Sequence, residues 1–477
     1  MLQSIGSRIV PALITSKRSA PWRQRWIRIT LPALACVLTF ALRASGISRH
    51  FWLLGDQIRD WSIALGALTS LPLVGPPTHV HGYTIGPAFY WILWCIRIAV
   101  GGWFHNLPHA GGIGQALLQS AVDGLLLAAV WKRTRSVWLG LTTVVVLATA
   151  PFDLALSAVI WNPVVGSILA KAATALILLD CRRASLVRVG VTAAIAWSAV
   201  QAYTGTIFVA LTVFVALLID ACVQRDWRTV WRRGLAIGLA VAVLQVPYAI
   251  HQVSTRFTDS GMAAVTSSLA QIFSGDEPLR LSKSATFYIE ALRSIQAIPG
   301  SIVLWIWILL GCAASVAVRY RKDAALVTIV LLPHAAAILG YAFWFADLDS
   351  YYYLSLAPAA VLTILLGVAA FIPQPVAHVV GIVLFIGTLA IVPSRARIAT
   401  TLFKMPEYRA LVAGSQEIMQ RRQPIQSIQP EFDLPPTTDP EFIFRILGGH
   451  IDRRAPWRAV IFSDGHVEYL RLATAGL

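Results

Sequence analysis

The sequence predicts an all-α protein that crosses a membrane about 11 times, each time as a helix of about 20 residues. Of its 477 residues, 57% are hydrophobic and only 13% are charged, and the mean hydropathy is +0.67. A soluble chain of this length needs more charge to cover its surface, whereas a surface that faces lipid is itself apolar. The apolar residues also form long runs that alternate with clusters of Lys and Arg.

Clusters of Lys and Arg assign the cytoplasmic side, because they collect in cytoplasmic loops. The basic N-terminal segment, residues 1–28, is therefore placed in the cytoplasm, and the apolar run 29–42 is interpreted as an uncleaved signal anchor. The later clusters lie at 132–135, 182–188, 225–233 and 319–322. Each segment between two clusters then leaves the cytoplasm and returns, which predicts a membrane module over residues 29–392. The net charge of +16 is explained by this topology, and no nucleic-acid partner is implied.

One apolar segment, 83–100, does not fit this scheme as a span. If it crossed the membrane, every later basic cluster would lie outside the cell. Arg97 near its end also disfavours a span, since an arginine within the bilayer is costly. We therefore predict helices at the membrane surface within a long first external loop, residues 45–113.

Most of the acidic loop residues fall on the external side in this topology. They are Asp56, Asp60, Asp153, Asp259, Asp276, Glu277, Asp347 and Asp349. A functional site is therefore expected on the external face.

The C-terminal segment, residues 393–477, has the composition of a soluble domain and is predicted to form a small external α/β unit. Pro406 begins a helical stretch that extends to Arg422. Asp439 and Pro440 suit the N-cap and first residue of a second helix. The Asp-Gly pair within residues 463–466 suits a tight β-hairpin between two short strands.

Five short motifs follow one another in the chain. They are GDQIRD at 55–60, GPPT at 75–78, the aromatic segment 82–91, WNP at 161–163 and YYYL at 351–354. In this order the motifs resemble those of the polyprenyl-phosphate-sugar-dependent glycosyltransferases of the C superfamily (GT-C), over residues 29–370. That family includes the protein mannosyltransferases and the lipid A aminoarabinose transferase.

The resemblance implies a transferase of the bacterial inner (plasma) membrane, with its N-terminus in the cytoplasm and its C-terminus in the periplasm. The donor would be a sugar on a polyprenyl phosphate. The acceptor would be a component of the cell envelope, either lipid A, another lipid, a glycan or a protein. No cofactor is implied with certainty, and a divalent metal remains possible. Protein mannosyltransferases have Asp-Glu where this chain has Asp56-Gln57, which disfavours a metal held by that adjacent pair.

Three carboxylates are candidates for catalysis. Asp56 matches the first acidic residue of the family motif and is the candidate general base, which would take the proton of the acceptor. Asp60 lies one helical turn further on and could share its face. Asp153 sits in a tight turn and is a candidate second carboxylate in the same cavity. The alternatives are that Asp56 and Asp60 merely flank Arg59, and that Asp153 is a solvated turn residue.

The donor phosphate would need cations or hydrogen-bond donors near the leaving oxygen. The candidates are His79, His81, Tyr83, Arg256, Lys283, Tyr352 and Tyr353, with His251 and Arg280 in the same late loop as further cations. The alternatives are ordinary surface charges and, for the tyrosines, an aromatic belt at the membrane interface.

Other classes of function remain open at this point. An O-antigen ligase or polymerase also has many spans and an external loop. A transporter would keep ionisable residues within its spans, where this chain has Asp123 and Lys171. A non-catalytic scaffold for envelope assembly is the fourth class.

Overall fold

The chain forms a bundle of long helices with a small α/β unit at one end, as seen in the computed structural model of the protein. The structure describes residues 21–47, 51–78, 82–103, 107–180, 184–258, 270, 274, 280–344, 348–371, 374–402, 405–435 and 437–472. The predicted fold class, an all-α membrane protein with a small C-terminal α/β unit, is confirmed.

Within the described residues, 17 helices follow one another along the chain. They are α1 (Pro21–Ala44), α2 (Asp56–Ala64), α3 (Ala88–Val100), α4 (Leu107–Thr134), α5 (Val137–Ala148), α6 (Pro151–Leu156), α7 (Asn162–Asp180), α8 (Leu186–Ala202), α9 (Ile207–Val223), α10 (Trp227–Ser254), α11 (Leu281–Gln296), α12 (Ile302–Arg319), α13 (Ala324–Ala342), α14 (Ala357–Ala370), α15 (Gln374–Ala399), α16 (Pro406–Arg421) and α17 (Pro440–Ile446). Short 3-10 helices lie at Leu68–Ser70, Gly101–Trp103, Thr204–Thr206 and Ser350–Leu356.

The described part of the chain contains nine helices that are long and apolar enough to cross a membrane. Three shorter apolar helices, α3, α5 and α8, accompany them in the described residues, and the charge pattern assigns α5 and α8 to spans. Helix α3 lies in the segment that was predicted to follow the membrane surface, and it packs against α2, α4 and α8. Its 13 residues do not distinguish it from α5, which has 12, so its place at the membrane surface rests on the charge pattern and on Arg97 and remains a prediction.

Polar residues at helix N-termini explain where several spans begin. The side chains of Ser136, Ser185, Asp226, Ser301 and Asp323 each accept a hydrogen bond from the backbone N–H three residues further on. The first N–H groups of a helix have no partner within the helix, so a capping oxygen stabilises that end. Each of these residues is the N-cap of the helix that follows it and so fixes where that helix begins.

Two loops that the sequence assigns to the cytoplasm meet at the same end of the bundle. Arg133, at the end of α4, forms an ion pair with Asp323, which caps α13. The two clusters of basic residues around them therefore lie on one side, as the charge pattern requires. Which side faces the cytoplasm remains a prediction.

Four ionisable side chains meet inside the bundle, one from each of α1, α4, α6 and α7. Nη1 of Arg43 lies 2.7 Å from Oδ2 of Asp123, and Nη2 of Arg43 lies 2.7 Å from Oδ2 of Asp153. Nζ of Lys171 lies 2.6 Å from Oδ1 of Asp123. The side chains of Arg43 and Asp123 are completely buried. Two positive and two negative charges thus compensate one another where most of the group is shielded from water, and we call this group the ion quartet.

The C-terminal unit contains a three-stranded sheet in the order β1 (Ser427–Pro430), β2 (Trp457–Ile461), β3 (Val467–Arg471). Strands β1 and β2 are parallel, and β2 and β3 form the predicted antiparallel hairpin. Gly465 in the hairpin turn has φ 88°, a conformation that favours glycine. The carboxylate of Asp439 accepts hydrogen bonds from the N–H groups of Glu441 and Phe442, which confirms the predicted helix start.

This unit packs on the first external loop. The ring of Tyr408 lies 5.8 Å from the ring of Phe51, centroid to centroid. The hydroxyl of Thr438 accepts a hydrogen bond of 3.2 Å from the N–H of Gly55, next to the start of α2. Residues of both segments share one buried apolar cluster. The α/β unit therefore supports the loop that carries the acidic motif.

The ion quartet leads to a prediction about stability. We expect Asp153→Asn to destabilise the protein by about 3 kcal/mol, because Arg43 and Lys171 would then share the single carboxylate of Asp123 and the quartet would keep one uncompensated buried positive charge. Asp56→Asn serves as the matched control. Its carboxylate is 55% exposed and pairs with Arg59, and exposed pairs contribute at most about 1 kcal/mol. Melting temperatures of both variants in detergent would test this, and equal losses would contradict it.

The short helix α3 leads to a prediction about topology. A reporter fused after Gly102 should behave as extracytoplasmic, because the charge pattern predicts that α3 does not carry the chain back across the membrane. Alkaline phosphatase should be active at this position, and a fusion after Lys322 should be inactive as the cytoplasmic control. A cytoplasmic signal after Gly102 would reverse the assignment of every later loop.

Candidate functional site

A cavity of about 350 Å³ opens at the end of the bundle that the charge pattern assigns to the outside. Its walls come from the first external loop, from the ends of five spans and from the 3-10 helix before α14. The residues that line it are Asp56, Arg59, Pro77, Thr78, Tyr83, Thr84, Ile85, Trp161, Asn162, Pro163, Tyr203, Thr204, Gly205, Ile207, Phe208, Tyr248, Gly340, Tyr341, Trp344, Tyr351 and Tyr352.

The Pro-Pro motif forms one wall because the chain folds back on itself there. Pro77 pairs with Tyr83 in an antiparallel bridge, and the N–H of Thr84 donates to the carbonyl of Pro76 at 2.9 Å. Gly82, with φ 73°, allows the return. A Cβ atom on Gly75 would lie 1.9 Å from Oγ1 of Thr84, so the two strands approach closely only with glycine at this position. The fold of this loop thus presents Tyr83 to the cavity.

Aromatic side chains form the opposite wall. The ring of Trp161 lies 4.7 Å from that of Tyr351, which in turn lies 4.7 Å from Tyr352. The ring of Tyr203 lies 6.2 Å from Tyr352. Tyr341 stacks on Tyr352 with centroids 6.1 Å apart. Rings and hydroxyl groups together give an amphipathic surface, which suits a polar ligand with flat apolar faces.

Three charged residues of α2 contact one another at the wall of the cavity. Nη1 of Arg59 lies 2.7 Å from Oδ1 of Asp56, and Nη2 of Arg59 lies 2.8 Å from Oδ1 of Asp60. Asp56 and Arg59 line the cavity, whereas Asp60 does not and its side chain is completely buried. Both carboxylates therefore contact Arg59, as the simpler interpretation of the motif expects, but Asp56 alone of the two faces the cavity.

Burial changes the acidity of Asp60. Removal from water raises the pKa of this carboxyl group to about 6, although the neighbouring guanidinium of Arg59 acts in the opposite direction. The hydroxyl of Tyr90, on α3, donates a hydrogen bond of 3.0 Å to Oδ1 of Asp60. Burial also raises the pKa of Tyr90, so this hydroxyl keeps its proton and remains a donor.

Asp153 lies outside this cavity. Its carboxylate pairs with Arg43 and accepts a hydrogen bond from the amide of Gln119. It lines a separate cavity of about 40 Å³ that also includes Lys171 and Gln296. The expectation that Asp153 shares a cavity with Asp56 is therefore wrong, because a buried arginine from α1 draws its carboxylate into the bundle.

The predicted donor-binding residues divide into three groups. Tyr83 and Tyr352 line the cavity. Tyr353 points into the core, where its ring lies 4.9 Å from Tyr341, and Lys283 lines a shallow surface pocket away from the cavity. Arg256 is exposed beyond the end of α10 and does not line the cavity.

Several other predicted residues can be placed only in part. His79 and His81 lie outside the described residues, as do Asp259, Asp276, Glu277 and Asp347. His251 does not line the cavity, but its ring lies 6.1 Å from Tyr83. Arg280 donates its backbone N–H to the carbonyl of Ala342. Over the residues that the structure describes, no group of three or more His, Cys, Asp or Glu side chains is arranged to hold a metal ion, so no ligand set can be named for a divalent metal.

Five aromatic residues of the cavity were not predicted from the sequence, and one of them is Phe208 at the start of α9. Tyr203 follows α8, Tyr248 lies near the end of α10, and Tyr341 and Trp344 lie at the end of α13. The available signal was that each lies near the external end of a predicted span. Tyrosine and tryptophan are also common there as interfacial residues, so the signal was not specific.

At the level of sequence, neither a protein-family model nor a curated protein matches the chain. The structure is similar to two crystal structures of ArnT from Cupriavidus metallidurans. The apo form has a TM-score of 0.51 at 16% identity, and the form bound to undecaprenyl phosphate has a TM-score of 0.52 at 15% identity. Each match covers 89% of this chain and 85% of the other. The chain therefore has the fold of these ArnT structures, which the resemblance of its motifs predicts.

Proposed function

We propose that this protein is a membrane glycosyltransferase that moves a sugar from a polyprenyl-phosphate donor to a component of the cell envelope. The reaction would take place in the large cavity, on the periplasmic face of the inner membrane. The observation that carries the proposal is the position of Asp56 and Arg59 side by side on the wall of an aromatic cavity, in a chain that has the fold of ArnT.

The donor is inferred from the fold and from the chemistry of the cavity. One of the similar ArnT structures is bound to undecaprenyl phosphate. In the present chain Arg59 could pair with the phosphate, and the rings of Trp161 and Tyr351 could pack against the faces of the sugar. Ile207 and Phe208, at the start of α9, form an apolar part of the wall that suits the first units of the lipid chain.

Asp56 is proposed as the general base. The acceptor oxygen or nitrogen attacks the anomeric carbon and loses its proton to the carboxylate of Asp56. The bond between the anomeric carbon and the phosphate oxygen breaks, and the lipid phosphate leaves with the electron pair. Arg59 stabilises the negative charge that develops on the leaving oxygen. His79 and His81 follow the cavity residue Thr78 in sequence and remain candidates for this second task.

The transporter alternative loses its main support in this structure. Asp123 and Lys171, the charges on which that alternative rests, pair with each other, and Asp123 pairs also with Arg43. They do not line the large cavity. Paired buried charges of this kind are explained by helix packing, and no transport pathway is needed to account for them.

The role of the base can be tested with Asp56→Asn. The amide keeps the shape of the side chain but cannot accept the proton, so we expect single-turnover transfer to slow by about a hundredfold to ten-thousandfold. Binding of the purified donor should persist. Asp433→Asn, an exposed acid of the C-terminal unit, is the control and should transfer at the wild-type rate. A normal rate in Asp56→Asn would exclude it as the base.

The sugar and the acceptor can be identified together. We expect mass spectrometry of envelope lipids and glycans from a deletion strain to show one component that lacks a single sugar residue. Complementation with the wild-type chain should restore the sugar, whereas the Asp56→Asn chain should not. An unchanged envelope in a strain known to express the protein would contradict the proposed activity.

A further inference from the structure

Asp60 is a buried carboxylate that the proposed reaction does not use directly. It lies beneath the cavity wall, between α2 and α3, and its Oδ1 atom receives three contacts. Nε and Nη2 of Arg59 lie 2.9 and 2.8 Å away, and the hydroxyl of Tyr90 lies 3.0 Å away. Its Oδ2 atom is buried and has no hydrogen-bond partner among the described residues. One oxygen thus binds all the donors, and the other is available to a proton.

The charge of the α2 group depends on whether Asp60 carries that proton. With both carboxylates ionised, Asp56, Arg59 and Asp60 together have one net negative charge. With Asp60 protonated, the group is neutral, and Arg59 is free to exchange one carboxylate partner for another anion. The net negative charge of the group therefore opposes the binding of a phosphate to Arg59 when Asp60 is ionised. When Asp60 is protonated, this repulsion is absent.

In the part of the chain that the structure describes, three charged or titratable side chains act on Asp60. The charged or titratable side chains in contact with it or acting on it are Arg59 and Asp56 on α2 and Tyr90 on α3. Arg97, further along α3, donates to the carbonyl of Gly66, two residues beyond the end of α2. Burial raises the pKa of Asp60 to about 6, so the charge of this carboxyl group changes close to neutral pH.

We propose that Asp60 and Tyr90 control the charge that Arg59 presents to the cavity, so that a lipid phosphate binds together with one proton, which is taken up by Asp60. This inference rests on the proposed donor site. Asp60 and Tyr90 act through Arg59 as positioning residues and do not touch the donor. Binding of the phosphate then favours protonated Asp60, and protonated Asp60 favours binding, by the same factor.

The test uses the full-length protein in detergent and a simple phosphodiester lipid, decyl methyl phosphate, as the probe. Its single negative charge does not titrate between about pH 5 and pH 8, so any pH dependence belongs to the protein. For the wild type we expect a constant Kd below about pH 6. Above that pH Asp60 is ionised in the free protein and must take up a proton when the probe binds. The Kd should therefore rise by up to about tenfold per pH unit.

Two variants separate this mechanism from a merely structural role. Asp60→Asn imitates the neutral carboxyl group, so its Kd should be independent of pH and equal to the wild-type value at low pH. Tyr90→Phe removes a hydrogen bond that stabilises the ionised form, so the rise in Kd should begin at a higher pH. Tyr408→Phe removes a hydroxyl from another buried tyrosine of the external core and should keep the wild-type profile.

The outcomes also separate this inference from the proposed function. If the wild type binds the probe with a Kd that does not change with pH, or if Asp60→Asn keeps the wild-type profile, proton coupling is excluded and the donor site stands. If the Kd of Tyr90→Phe begins to rise at the same pH as that of the wild type, Tyr90 does not influence the protonation of Asp60. If the wild type does not bind the probe at any pH, both the donor site and the inference fail.

Discussion

The buried charge of Arg43 is the constraint on which the half of the structure that contains the aromatic cavity depends. Arg43 is the last polar residue of α1 before the first external loop, and it is completely buried against Asp123 and Asp153. Leaving such a charge unpaired would cost several kcal/mol, so α1 must pack where α4 and α6 supply their carboxylates. This packing sets the position from which the chain enters the loop that carries Asp56. The α/β unit then holds that loop from above, through the contact of Thr438 with Gly55.

Much of the site could be predicted because its motifs resemble those of a known family and lie in loops next to apolar spans. Asp56, Tyr83 and Tyr352 belong to these motifs, and all three line the cavity. Tyr203 and Tyr248 could not be assigned in the same way, because each lies at the end of a separate span. Only the packing of the helices brings such residues together, and a single sequence does not show which span ends are neighbours.

The wrong expectations have physical causes that a sequence conceals. Asp153 was predicted to face a common cavity with Asp56, but its partner, Arg43, is 110 residues away in the chain. The tyrosine run at 351–353 lies in a 3-10 helix, where successive side chains are about 120° apart. Two of the rings can therefore face the cavity while Tyr353 turns into the core. A run of identical residues does not show which of its members faces the ligand.

The proposed reaction requires stabilisation of the leaving phosphate and removal of the proton from the acceptor. Arg59 connects these two tasks because it contacts Asp56 directly. In the structure Nη1 of Arg59 donates a hydrogen bond of 2.7 Å to Oδ1 of Asp56, so this oxygen of the proposed base is occupied. A donor phosphate that attracts Arg59 would free this oxygen to accept the proton of the acceptor. When the donor is present, protonation of Asp60 would act in the same direction, since it releases Arg59 from its buried partner to the phosphate. The same three residues would thus bind the leaving group, activate the base and prevent activation when the cavity is empty.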